Sequence, residues 1–137
     1  MNKIYLAGAM IVDHANRLLV VRKKDSVYYM MPGGKIEKGE LSAQALIREL
    51  KEELDLNISA RELEYLGFHE TDAVNEADTI VRGEVFRLEL KKNVQIVPLA
   101  EIAEAVWLTV DDYKNYKLAH LIEEFTLPIW LAGTFEY

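Results

Sequence analysis

The sequence predicts an α/β (α+β) fold, a sandwich around a mixed β-sheet. Three observations lead there: strand-like apolar runs stand before a central amphipathic helix, further strand-like runs follow it, and a second helical segment closes the chain. A chain of 137 residues fits one domain, taken as residues 1–137, and can bury a sizeable core. No internal repeat, low-complexity tract or linker divides it.

Residues Ile4 to Val12 are apolar enough for a buried strand, and Asp13 to Asn16 supply turn chemistry. Arg17 to Arg22 (RLLVVR) follows as a second strand, expected to pair with the first in a hairpin. Val27 to Met31 is short and extended and leads into the Pro32-Gly33-Gly34 loop, where paired glycines let the backbone turn tightly and approach a ligand. The central helix is expected from about Leu41 to Leu54, capped by Ser42 on side-chain chemistry or by Leu41 on alignment. Leu63 to Glu70 and Thr79 to Leu90 are strand-like, and an acidic loop from Thr71 to Asp78 joins them. Its Asn75, Glu76 and Asp78 are either a pocket rim or plain solvated loop, and His69 is expected as a surface residue at a strand end. Pro98 breaks the chain; Val106 to Val110 makes a short strand with Trp107 in or near the core, and Asp111-Asp112 can start a short helix. Ala119 to Leu131 is a final helix interrupted near Pro128, with Phe125, Trp130 and Leu131 in the core.

On a wheel of ~100° per residue, Glu49, Glu52 and Glu53 share one face of the central helix. Ala43, Leu46, Ile47, Leu50 and Leu54 form a separate apolar stripe. Like charges at these spacings repel by ~0.2–0.5 kcal/mol per pair. An acidic face of this kind is either solvated surface or a place for a cation, and carboxylate oxygens are the ligands that hard divalent ions prefer.

The formal net charge is −7, which argues against sequence-independent binding to a nucleic acid polymer. A small phosphorylated molecule remains compatible, since a metal and a few cations can meet its charge locally. Cysteine is absent, so disulfides and cysteine-ligated zinc are excluded, and a reducing cytoplasm is the expected location. No apolar run is long enough to span a membrane, and the N-terminal run is read as a strand, not a leader, because Asp13 and His14 follow without a processing site.

Residues Gly34 to Leu56 resemble the signature of the Nudix hydrolases, G-x5-E-x7-R-E-U-x-E-E-x-G-U, where U is bulky and aliphatic. Gly34, Glu40, Arg48-Glu49-Leu50, Glu52-Glu53 and Leu56 take the specified positions, and Asp55 stands where the pattern has glycine. Asp tolerates the left-handed conformation expected there better than most residues, so a small stability cost is expected and no loss of chemistry.

The resemblance implies an α/β/α sandwich and hydrolysis of a nucleoside diphosphate linked to another moiety, with Mg²⁺, or Mn²⁺ in its place, as cofactor. It implies Glu52 and Glu53 as main metal ligands, Glu49 as a further ligand or the acceptor of the water's proton, and the Gly33 carbonyl as another ligand. Glu40 and Arg48 are read as orienting the acidic cluster. A further acid from outside the box is assigned to Glu101, with Glu104 next. Arg22, beside a strand end, and Lys35, beside the glycine loop, are candidates to meet substrate phosphates, against the alternative of solvated charge. A homodimer is a further expectation, because many family members are dimers. The region of Thr71 to Val74 lacks the proline and tyrosine marks of ADP-ribose and diadenosine-polyphosphate enzymes. By elimination the chain resembles MutT-like enzymes that cleave (d)NTPs to monophosphate and pyrophosphate. The alternatives are ADP-ribose, a dinucleoside polyphosphate or a nucleotide sugar as substrate, or a non-catalytic nucleotide-binding regulator.

Overall fold

Alternation of apolar residues along the strands decides the architecture, because successive side chains point to opposite faces of a sheet. The computed structural model describes residues 2–91 and 94–133. Its strands are β1 (Asn2–Asp13), β2 (Leu18–Lys23), β3 (Tyr29–Met30), β4 (Gly33–Lys35), β5 (Glu64–Asp72), β6 (Thr79–Leu90) and β7 (Ile102–Leu108). Helix α1 spans Ser42–Leu54, and α2 spans Leu127–Gly133.

The strands form one mixed sheet in the order β3-β2-β1-β6-β5, with β4 added to β1 and β7 to β2. Strand β1 runs parallel to β6 from Asn2↔Thr79 to Asp13↔Leu90. On its other edge it pairs antiparallel with β4 (Gly8↔Gly33) and then β2 (Ile11↔Leu19). The expected β1–β2 hairpin is present. Its turn is held by the Asp13 carboxylate, which accepts hydrogen bonds from the Ala15 and Arg17 amides at 3.0 and 2.9 Å.

Both faces are covered. Ala7, Ala9, Ile11, Leu19, Val21 and Leu88 pack under Leu46, Leu50 and Leu54 of α1. Their neighbours Met10, Val12, Leu18, Val20 and Val85 pack under Leu121, Ile122 and Trp130. Two apolar faces on one sheet therefore call for two helical layers, and the α/β/α sandwich follows.

Three expectations are corrected. Gly33 and Gly34 lie in strand β4, not in a loop, because the backbone continues its ladder with β1. The strand carrying Trp107 begins at Ile102, not Val106, since its pairing with β2 already starts at Lys23↔Ile102. The final helix is not broken at Pro128. It continues from His120 to Gly133 through a wide π turn at Ile122–Thr126. Proline removes one helical N–H and crowds the preceding turn, and a π bulge just ahead of it absorbs both effects.

Candidate active site

Helix α1 is entered from Leu41, which has extended geometry and no side-chain acceptor. The Gln44 side chain accepts a hydrogen bond from the Leu41 amide at 2.9 Å. One turn later Arg48 gathers the acids. Its Nε and Nη2 donate to the two oxygens of Glu40 at 2.8 and 2.9 Å, a bidentate pair. Its Nη1 donates to Glu49 at 2.8 Å and lies 3.6 Å from Glu52, while Nη2 also donates to the Lys35 carbonyl at 3.1 Å. The hydrogen bonds from Arg48, and then that from the Glu37 amide, hold the Glu40 carboxyl at about 2.

Glu53, in the last turn, is only 8% exposed. Its Oε1 accepts the Gly33 amide at 3.3 Å. Burial pushes the Glu53 carboxyl up to about 7; the Gly33 N–H and Lys23 oppose this, and the charges of Glu49 and Glu101 add to it. The glycines permit the close approach. A β-carbon on Gly33 would stand 2.1 Å from the Ala7 carbonyl oxygen at a φ of +143°, and one on Gly34 would stand 2.4 Å from the Glu49 carboxyl carbon. At the helix end, Asp55 adopts the left-handed conformation expected of it (φ 54°, ψ 36°), and Lys51 pairs with its carboxylate.

Beside Glu53 a cleft of about 190 Å³ opens. Lys23, Lys35, Glu53 and Asp72 are charged residues of its lining, and Ile4, Leu6, Val81 and Leu121 are among the apolar ones. Asn75 and Glu76 also line it, whereas Asp78 serves the backbone, its carbonyl accepting the Asn2 amide at 3.1 Å. The Asn75 amide is clamped to the buried Ser26 hydroxyl at 3.1 Å.

The structure separates the candidates by face. Arg22 is not in the cleft lining: it donates to Glu104 at 2.9 Å and to the Ser26 carbonyl at 3.0 Å. Glu104 also accepts from Tyr29 at 2.5 Å. Glu104 therefore stands apart from the α1 acids. Glu101 stands near enough to act on Glu53, and its segment is pinned by Leu99 donating to the Glu53 carbonyl at 2.8 Å and Lys24 to the Glu101 carbonyl at 2.9 Å.

Lys23 is the residue that sequence reasoning missed. Leu19 and Val21 face α1, so the period of two along β2 carries Lys23 toward Glu53 and turns Arg22 away. His120 was also missed. Its Nδ1 donates to the Asp72 carbonyl at 3.0 Å at the cleft rim, while His69 is taken up by Glu124 of the π turn at 2.8 Å.

The set of oxygens suits a hard divalent ion: Glu53 is a buried carboxylate whose one hydrogen bond among the described residues comes from an amide, with the Glu49 and Glu101 charges nearby. As the side chains stand, Arg48 holds Glu49, and no ready-made cluster of three acidic or histidine ligands forms among the described residues. No helix among these residues is long and apolar enough to cross a membrane.

Comparison with known proteins gives the family and the fold. The NUDIX domain model matches residues 4–127. An 8-oxo-dGTP diphosphatase from Proteus vulgaris is 33% identical over 61 residues, covering 42% of this chain and 54% of that protein. An ADP-ribose pyrophosphatase from Methanocaldococcus jannaschii is 34% identical over 61 residues, covering 39% of this chain and 36% of that protein. The chain thus matches about half or less of the length of these relatives. A MutT NUDIX hydrolase structure from Burkholderia pseudomallei superposes with a TM-score of 0.75 at 20% identity, over 96% of this chain and 98% of that one, and shows that the fold is shared.

Proposed function

This chain belongs to the Nudix family, and from that premise we propose that it hydrolyses a nucleoside triphosphate to the monophosphate and pyrophosphate. The observation that carries the reading is a partly apolar cleft lined by the buried carboxyl of Glu53 and by Lys23 and Lys35, with Lys23 near enough to act on Glu53. Apolar walls suit a nucleoside, and the two ammonium groups suit phosphates.

In this reading Glu52 and Glu53, with the Gly33 carbonyl, are the ligands for Mg²⁺ or Mn²⁺. Glu49 completes the set or receives the proton of the attacking water, and Glu101 supplies the acid from outside the helix. Bound metal neutralises charge on the bridging oxygens and acidifies water. Glu40 fixes Arg48, and Arg48 fixes the Glu49 carboxylate, so the helix presents its acids in one arrangement. Water oxygen bonds to phosphorus in line with the phosphoanhydride oxygen, that P–O bond breaks, and its electron pair departs with pyrophosphate. Lys23 and Lys35 meet the charge that moves onto the leaving group. Arg22, held by Glu104 and the Ser26 carbonyl, is given no role in this reading.

The test is release of phosphate and pyrophosphate from a panel of canonical and oxidised dNTPs, ADP-ribose, dinucleoside polyphosphates and nucleotide sugars, with Mg²⁺ or Mn²⁺ and with chelator. Pyrophosphate from a dNTP, abolished by chelator and in Glu53→Gln, is the expected result. Cleavage confined to ADP-ribose or another member of the panel keeps the hydrolase and replaces the substrate. Nucleotide binding without turnover of any member replaces the enzyme with a regulator.

A further inference from the structure

Besides the Glu53 carboxyl and the ammonium groups of Lys23 and Lys35, the cleft lining carries the polar side chains of Thr71, Asp72, Asn75, Glu76 and His120. Thr71 donates to Glu124 at 2.9 Å, and His120 Nδ1 donates to the Asp72 carbonyl at 3.0 Å. Asp72 and Glu76 are acids and share the sign of a phosphate's charge. Asn75 is the one amide among them, a neutral group that both donates and accepts beside apolar walls.

Its placement is set by a residue 49 positions earlier that does not itself line the cleft. Ser26 is 7% exposed, and each of its polar groups is engaged. Its N–H donates to the Lys23 carbonyl at 3.1 Å, and its carbonyl accepts the Arg22 guanidinium at 3.0 Å. Its hydroxyl accepts the Tyr28 amide at 3.0 Å and the Asn75 Nδ2 at 3.1 Å, which uses both lone pairs. The hydroxyl oxygen lies 3.4 Å from the Tyr28 carbonyl and from Asn75 Oδ1, the two acceptors for its proton. Arg22 is held in turn by Glu104, and Glu104 by Tyr29. A network rooted on β2, β3 and β7 thus anchors an amide in the β5–β6 loop. Asn75 is exposed and keeps its second Nδ2 hydrogen and a lone pair of Oδ1 for a partner.

We propose that Ser26 is a positioning residue for nucleobase recognition, holding the Asn75 amide at the cleft so that its remaining donor and acceptor pair with the edge of a base. The inference rests on the reading of this cleft as a nucleotide site. Every nucleobase has a donor beside an acceptor on one edge, and an asparagine amide can match such a pair with two hydrogen bonds. A base whose faces lie on apolar walls gives up water at that edge, and an unmatched edge is costly. An amide fixed in advance loses less rotamer entropy on meeting it than a free one does. Ser26 supplies that fixing and makes no contact with the base itself.

Calorimetric binding of the four deoxynucleoside monophosphates reads base recognition without turnover, and binding of inorganic pyrophosphate with Mg²⁺ reads the phosphate side. In Ser26→Ala the Kd of the tightest-bound monophosphate should rise about tenfold and the spread of Kd among the four should narrow, while the pyrophosphate Kd stays as in the parent. Asn75→Ala, a change at an exposed loop position, should do the same. Ser26→Ala added to Asn75→Ala should change nothing further, because Ser26 acts through Asn75. A parent that binds no monophosphate, unchanged monophosphate Kd values in either folded single variant, an equal loss for pyrophosphate, or a Ser26→Ala loss undiminished in the Asn75→Ala background overturns the inference. Hydrolysis of a dNTP with those Kd values unchanged overturns this inference alone. The expected Kd changes without hydrolysis of any dNTP uphold it and overturn the proposed reaction.

Discussion

Glu40 and Glu53 flank the two ends of α1 and have opposite environments. Glu40 receives a bidentate guanidinium and a backbone amide, and its carboxyl is held at about 2. Glu53 is buried, receives one amide, and is pushed up to about 7. The helix is the same; the difference lies in what each carboxylate was given in exchange for water. At the Glu40 end the charge is already matched, and a cation arriving there would have to displace Arg48. At the Glu53 end a charge is missing, and a cation would supply it.

The sharpest way to break this contrast is Glu53→Gln. Turnover should fall by ~10²–10³-fold or more, as for the loss of a principal electrostatic group, while the fold is kept and metal-free stability above pH 7 rises. A carboxyl held at about 7 instead of 4.5 disfavours the folded state by ~3 kcal/mol once it must ionise. Denaturant unfolding beside a nucleotide assay separates the two effects. Gly33→Ala attacks the same end through the backbone. A β-carbon 2.1 Å from the Ala7 oxygen at positive φ should lower stability by ~3 kcal/mol or more, read as a fall in Tm.

The pH dependence sharpens the comparison because the two ends carry opposite signs. The raised Glu53 carboxyl binds a proton in the folded state that the unfolded state releases, so its contribution is full below pH 4.5 and is lost as pH rises through about 7. Metal affinity should rise over the same window, since a ligand must be deprotonated. The lowered Glu40 carboxyl contributes above pH 4.5 and loses that contribution as pH falls toward about 2. In Arg48→Ala the acid limb should flatten and the neutral limb remain, with turnover reduced about tenfold because Glu49 loses its guanidinium partner. Chemical denaturation from pH 2.5 to pH 8, with chelator, checks both limbs.

Smaller effects test the helix ends themselves. Leu41→Ser adds the side-chain acceptor missing from the first turn, opposite the Gln44 contact already present, and should stabilise by ~1 kcal/mol. Asp55→Gly relieves a left-handed residue at the other end but loses the exposed Lys51 pair, for a net gain below ~1 kcal/mol in thermal unfolding.

Much of this was legible in the sequence because it is local. The stripe Leu46-Leu50-Leu54 and the acidic face are set by helical spacing, and the β1–β2 hairpin by four turn residues between apolar runs. Glycine at Gly33 and Gly34 marked a close approach, although the sequence could not show that the approach is to β1 and to Glu49. What was not legible is pairing across distance. Glu101 and Glu104 look alike in the chain, and only the β2–β7 register, which sets Glu104 opposite Arg22, separates them. Lys23 was within reach of a period-of-two argument along β2, which favours it over Arg22. The π turn before Pro128 has no periodic signature, so a break was the natural expectation there.

The parallel pairing of β1 with β6 has a consequence for how the chain acquires its structure. Asn2 meets Thr79 and Asp13 meets Leu90, so β1 waits for a strand far along the chain before its central edge is closed. Contacts that far apart in sequence slow the search for the native topology and leave a long apolar strand open meanwhile. A chain stopped after Asp78 keeps both apolar faces of β1 and has no partner for that edge, and should collect in the insoluble fraction, whereas one that reaches Leu90 can complete the pair.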